Sequence, residues 1–188
     1  MAYLVSFALL VAVLAWVVGV YNNLEHLRGV VCNCWGQWRK ATHRRNECLA
    51  DFAAVFASFM PRGDSLPRDL RRMAEDSERS LALALEPRWS RKHGFLGGAE
   101  QALRHVVDLS VQAVEDSPEL RRHEALQRLC ASVTVSLYQQ TQTASLFNRA
   151  AAEYNSALAS PSARFLAPVL GFLAADPLDV PAQDTRSS

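Results

Sequence analysis

Four cysteines and five histidines are the residues of this 188-residue chain with the most chemistry to offer. Cys32 and Cys34 flank Asn33, with His26 and His43 within reach along the chain, a grouping that could hold a metal or cycle through a disulfide. On a helix, however, side chains two residues apart point about 200° away from each other, so the two thiols cannot share one ion unless the helix unwinds. Cys34, Cys48 and Cys130 fall on apolar stripes of helical spacing, where cysteine behaves as a small hydrophobe. His26, His43, His93, His105 and His123 show no HExxH or comparable pairing, and surface imidazoles are expected. Gly97-Gly98 stands alone, outside any P-loop or dinucleotide fingerprint, and no GxSxG is present. Glu75 and Arg79, four residues apart, read as a solvated helix pair. No catalytic, cofactor-binding or metal-ligating residue is assigned, and an enzyme is not expected.

The elements that would have to position any site are helices. Ala, Leu, Arg, Glu and Gln dominate the chain beyond its first twenty residues, and all are strong helix formers. A formal net charge of +1 gives no electrostatic case for nucleic acid or an acidic ligand. The cysteines lack the density and spacing of a secreted disulfide scaffold.

Tyr3 to Tyr21 (YLVSFALLVAVLAWVVGVY) contains no charged side chain, and about 20 apolar residues at a rise of 1.5 Å cross the ~30 Å of bilayer hydrocarbon. Tyr3 and Tyr21 lie at the two ends, where aromatics meet headgroups, and Trp16 sits a turn further in. A cleaved signal peptide would carry Lys or Arg before the apolar run and a small-residue cleavage site after it, and neither is clear. Residues 1–22 are therefore expected to be a retained anchor in contact with lipid. Arg28, Arg39 and Lys40 follow the span, with Arg44 and Arg45 just beyond, so the N-terminus is expected outside and the body in the cytoplasm. Free cysteines agree with a reducing compartment.

Past the span, Leu24, Leu27, Val31, Cys34, Trp38, Ala41, Arg45, Cys48, Phe52, Val55 and Phe59 recur in steps of three and four, a coiled-coil-like heptad seam. No Pro separates the seam from the span, which predicts one helix from Tyr3 to Phe59, about 85 Å long. Pro61 to Asp64 reverses the chain, and Ser65 is expected to cap a second helix bearing Leu66, Leu70, Met73, Ser77, Leu81, Ala84 and Leu85 on one face before Pro87. Pro87 to Gly98 reads as a loop with a basic cluster of Arg88, Arg91, Lys92 and His93. A third helix spans Ala99 to Glu115, burying Leu103, Val106, Val107, Ser110, Ala113 and Val114. Ser117-Pro118-Glu119 starts a fourth, predicted to run for about 42 residues, some 63 Å, to Pro161. Its seam is Leu126, Cys130, Val133, Leu137, Gln140, Ala144, Phe147, Ala151, Tyr154 and Leu158.

The expected fold is all-α, with an N-terminal transmembrane helix continuing into an elongated antiparallel four-helix bundle over residues 23–173. Residues 174–188 read as a disordered tail. Short connections between antiparallel neighbours bring Phe165 to Leu173 back beside the bilayer, to rest on it or to seal that end of the bundle. Arg45, a charge in mid-seam, is expected to snorkel to solvent; the alternative is a partner inside the bundle, Gln140 or an acid.

Tyr21-Asn22-Asn23-Leu24 beside the span and the aromatic–asparagine pairs Phe147-Asn148 and Tyr154-Asn155 near the other end carry a likeness, in the same order along the chain, to the LemA family of bacterial membrane proteins. Tyr21-Asn22-Asn23-Leu24, Leu27-Arg28 and Val30 are similar to the family's YNxLVxLRNxV. Trp35, Gln37, His43-Arg44-Arg45 and Glu47-Cys48 follow the spacing of its AWSxIDxQLKRRxDLIPNLV. Phe147-Asn148 and Tyr154-Asn155 match its paired YN dipeptides, and Ser160-Pro161 with Gly171-Phe172 its FP…GF ending. Trp38 and Arg39 replace its Ile and Asp, Ala50 its Pro, and Ala144 the Arg before YN, so the chain would be a divergent member. The resemblance implies an N-out single-pass anchor, a cytoplasmic helical domain and no established enzymatic activity. Some relatives belong to magnetosome membrane systems, which implies membrane organisation.

The expected function is that of a membrane-anchored helical scaffold at the inner membrane, with unidentified protein partners or self-assembly, and without nucleic acid, small-molecule substrate or cofactor. Gly19 with Ala8, Ala12 and Ala15 gives the span a face of small residues suited to close helix packing. The alternatives are an adaptor or regulator of another membrane protein, such as a quality-control protease, and a thiol or metal sensor.

Overall fold

A computed structural model describes residues 2–61, 63–87, 89 and 97–178. The described residues are helical, with no strand: α1 Ala2–Phe59, α2 Leu66–Leu83, α3 Gly97–Asp116, α4 Pro118–Arg121 and α5 Glu124–Ala159. The basic cluster of Arg88, Arg91, Lys92 and His93 lies outside the described residues.

α1 is one unbroken helix of 58 residues. Its first third is long and apolar enough to cross a membrane, and none of that window is buried. Beyond it the helix is covered by α5 along one side and α2 along another. Phe59 meets His123, Trp35 meets Phe147 and Tyr21 meets Phe172, so residue numbers fall along α1 as they rise along the C-terminal half. Against α2, Asn46 meets Glu78 and Arg39 meets the Leu81 carbonyl.

The seam of α1 is displaced from the expected one. Leu24, Val31, Trp38, Arg45 and Phe52 are buried as predicted, but their companions are Trp35, Thr42, Leu49 and Phe56. Leu27, Cys34, Ala41, Cys48 and Val55 are only half-buried, and Phe59 is exposed. Both stripes flank the same central positions. With α2 and α5 covering α1 from two directions, the side holding the bulkier Trp35, Leu49 and Phe56 turns inward, because it removes more apolar surface from water.

Local chemistry sets the breaks. After α1, Gly63 takes a φ of +113°, a conformation that favours glycine, and the chain turns with the Asp64 amide donating to the Pro61 carbonyl at 3.2 Å. The cap of α2 is supplied by Asp64, whose Oδ1 accepts from the Leu66 amide at 2.9 Å; the Ser65 hydroxyl makes no capping bond. α2 stops at Leu83, short of the expected Pro87, because a proline ring clashes with the carbonyl four residues earlier. Leu85 is consequently exposed rather than on the apolar face. On the surface of α2, Glu75 pairs with Arg71, and Arg79 with Asp76.

Ser117 caps as expected, accepting from the Leu120 amide, but the 42-residue helix predicted from it is broken at Arg122–His123. The break divides it into a one-turn α4 and a 36-residue α5. Leu120 and Leu126, six positions apart, would point about 120° away from each other on a continuous helix. The break lets both join one apolar cluster.

Two such clusters form. The distal one contains Leu49, Phe52, Phe56, Leu70, Leu103 and Leu126, and the proximal one, towards the apolar span, contains Leu24, Val31, Trp35, Trp38, Phe147 and Tyr154. A layer of buried polar residues, Thr42, Arg45, Asn46, Gln140 and Thr141, lies between them in sequence on both α1 and α5.

A Cβ added at Gly36 would meet nothing within 4 Å. Gly36→Ala should therefore raise stability by about 0.5–1 kcal/mol, the helix cost of glycine, read as a higher denaturation midpoint in detergent.

Candidate functional site

Arg45 organises the polar layer. It is 1% exposed, which overturns the expectation that it snorkels to water. Its partner is an acid on α3: Nη1 donates to Glu100 Oε2, and Nη2 to Glu100 Oε1 at 3.0 Å, a two-pronged charge pair. Nη2 also reaches Ser77 Oγ on α2 at 2.8 Å, and Nε donates to Asn46 Oδ1 at 3.2 Å. Asn46 in turn donates to Glu78 Oε2 at 2.9 Å, whose other oxygen lies 2.8 Å from His43 Nδ1. One guanidinium thus ties α1 to both α2 and α3. Burial works to raise the pKa of Glu78, but the hydrogen bonds from Asn46 and His43, with the charges of His43 and Arg39, outweigh it and hold the carboxyl below the ordinary glutamate range. A carboxylate so held stays ionised and is a poor proton carrier near neutrality.

Beside the layer lies a cavity of about 150 Å³, lined by Trp38, Thr42, Met73, Ser77, Leu81 and Glu100 among others. The Trp38 indole N–H and the Thr42 hydroxyl are buried in its wall without a protein partner. Its mixed lining presents donors on the α1 side and apolar carbon from Leu81 and Met73 opposite.

The thiols do not converge. Cys32 is exposed, Cys34 and Cys48 are half-buried, Cys130 is buried, and all are free. Burial raises the pKa of Cys32, with Arg28 opposing the rise and Glu86 and Glu25 adding to it. Burial, aided by Glu115, also raises Cys130. Thiols held protonated are weak nucleophiles and weak ligands. Among the described residues no three His, Cys, Asp or Glu side chains gather as a metal site.

A second constellation was not anticipated at all. Asn155 holds the backbone of Ala175 at two points, donating to its carbonyl at 2.8 Å and accepting from its amide at 2.9 Å. Asn148 holds Leu178 in the same way, at 2.8 Å and 2.8 Å. The Tyr154 hydroxyl donates to the Leu173 carbonyl at 3.0 Å. The spacings match: seven helical residues advance about 10.5 Å, and three extended residues about 10 Å. Two asparagines a heptad apart therefore meet residues three apart, Ala175 and Leu178, on a non-helical stretch running against α5. In Phe147-Asn148 and Tyr154-Asn155 the aromatic enters the proximal core, and the next residue, about 100° round the helix, faces the strand. Residues 174–178, expected to be disordered, are thus held against α5; residues 179–188 lie outside the described residues.

The chain reaches this clamp through helical turns over 160–171. These end in a Schellman motif: Gly171 takes a φ of +77°, its amide donates to the Pro168 carbonyl, and the Phe172 amide donates to the Ala167 carbonyl at 2.9 Å. Phe172 is then buried, its ring 5.7 Å from that of Tyr21 at the end of the apolar span. Of the segment from Phe165 to Leu173, Ala167 and Phe172 are buried, whereas Phe165, Val169 and Leu173 are exposed. Trp89, which follows α2, closes another side, edge-on to Tyr154 and under the Arg28 guanidinium.

Arg45→Met should cost about 3–5 kcal/mol in chemical denaturation, since it leaves Glu100 and Asn46 without their partner. Asn155→Ala should leave overall helicity intact while the Ala175 amide loses its slow hydrogen exchange, with Leu178 following only if the strand detaches as a unit. Comparison with protein-family models, with curated proteins and with solved structures finds no match.

Proposed function

We propose that this chain is a membrane-anchored helical interaction protein of the LemA type, acting by binding rather than catalysis. The observation that carries the reading is α1 itself. One helix runs without interruption from an apolar stretch with no buried residue into a packed body. Apolar surface of that extent on a single helix has a natural solvent in lipid, and the residues after it carry the positive charge expected on the cytoplasmic side. On this reading the body is an elongated antiparallel four-helix bundle formed by α1, α2, α3 and α5, with α4 as a one-turn entry to α5. The opposed residue numbering of the α1–α5 and α1–α2 contacts supports it.

The binding surface we favour is the outer face of α5. Val135, Tyr138 and Leu146 are exposed there, and at 100° per residue they fall within about 80° of arc. A second copy would make the protein a scaffold in the membrane plane, and another membrane protein would make it an adaptor.

The protein should remain in the membrane fraction after alkaline carbonate, and release into the supernatant would remove the anchor. Crosslinking in mild detergent should capture a partner through α5, and Tyr138→Asp should abolish the adduct without lowering helicity. Adducts between copies of this chain alone would identify a scaffold, and a stoichiometric second protein an adaptor.

A further inference from the structure

We propose that residues 160–173 form a second membrane contact, lying in the headgroup–acyl boundary beside the point where α1 leaves the bilayer. The proposal rests on the reading of α1 as an anchor and adds a lipid-facing surface to it.

The placement follows from packing. Within residues 3–21 every side chain is exposed except Val17 and Val20, which are half-buried. Val20 packs on the cluster that contains Ala163, Ala167 and Phe172, and Phe172 meets Tyr21. The helical turns of 160–171 are therefore level with the last turn of the apolar span. They are two-sided. Ala163 and Ala167 face inward, whereas Phe165, Val169 and Leu173 are 71%, 83% and 58% exposed. Residues 163 and 165 stand about 200° apart on a helical turn, so the exposed set lies opposite the packed set.

The occupant follows from continuity and charge. Phe165, Val169 and Leu173 give this segment an exposed apolar face, and unlike the exposed face of α5 it adjoins a stretch already suited to lipid. Across residues 160–173 the single charged side chain is Arg164, whose guanidinium lies 5.2 Å over the Phe165 ring. A cation beside an aromatic ring at the edge of an apolar face is suited to anionic headgroups. The asparagine clamp helps to hold the segment there: it fixes the stretch that follows, and the Tyr21–Phe172 contact fixes the segment's C-terminal end.

The test uses the full-length native chain in vesicles of equal parts phosphatidylcholine and phosphatidylglycerol carrying a lipid with a shallow photoactivatable diazirine. Lipid adducts mapped by mass spectrometry should fall on residues 3–21 and on residues 165–173, with none on the α5 face at Tyr138. Val169→Glu, at a position no packing depends on, should remove most adducts from 165–173 and leave those on 3–21 unchanged. Adducts confined to 3–21 would overturn the second contact and leave the anchor standing. Absence of adducts from both would overturn the two together. If 165–173 were shielded from lipid and from a water-soluble carbene alike, a second copy would be covering it, and the proposal would also fail.

Discussion

Outside its apolar span, α1 carries more hydrophobic surface than any one neighbour can cover, and the rest of the fold answers that constraint. α5 covers one flank and α2 the other, which is why the buried stripe centres on Trp35, Trp38, Leu49 and Phe52 and not on the narrower seam that includes Cys34 and Cys48. Large apolar side chains of this kind stabilise by roughly 1.5–3 kcal/mol each when fully buried. The same helix supplies the exposed apolar stretch, so any motion of the packed body is transmitted to the span without an intervening joint.

A heptad seam has a weakness: a slip of seven residues still sets apolar against apolar. The Arg45 layer removes that freedom. A shifted α2 or α3 would leave the guanidinium without Ser77 or Glu100, and an unpaired charge in the interior is far more costly than a misplaced leucine. On the other side, the Arg104 guanidinium reaches Thr141 at 3.1 Å and ties α3 to α5. The polar layer adds little as an adhesive, since burying it sacrifices hydration. Its contribution is to make one alignment of the helices distinct from its neighbours.

Much of the architecture was legible in the sequence because it is periodic. The extent of α1, the inward face of α3 and most of the seam of α5 follow from apolar spacing, with Leu137 and Leu158 of that seam only half-buried. Periodicity cannot say which flank a second neighbour will occupy, so the companion stripe of α1 came out displaced. Nor does it register a break that keeps the helical pattern on both sides, as at His123, where the gain is to bring Leu120 and Leu126 into one cluster. Partnerships between distant polar residues are the least visible of all. Nothing near Arg45 names Glu100, 55 residues away, and the clamp pairs asparagine side chains with backbone, which has no sequence. The paired aromatic–asparagine dipeptides were the one available signal, and their spacing acquires a physical reason only once the strand lies beside them.

The central claim is that the apolar span and the packed body share one rigid helix. Spin labels at Ala15 and Arg44, both exposed, in a cysteine-free chain reconstituted in lipid measure this directly by pulsed dipolar spectroscopy. An uninterrupted α1 places the two sites about 44 Å apart at 1.5 Å per residue, in a single narrow distribution. A broad distribution, or one centred well short of that length, would mean that the helix bends or breaks near Gly29 or Gly36 and that the span and the body are separate units.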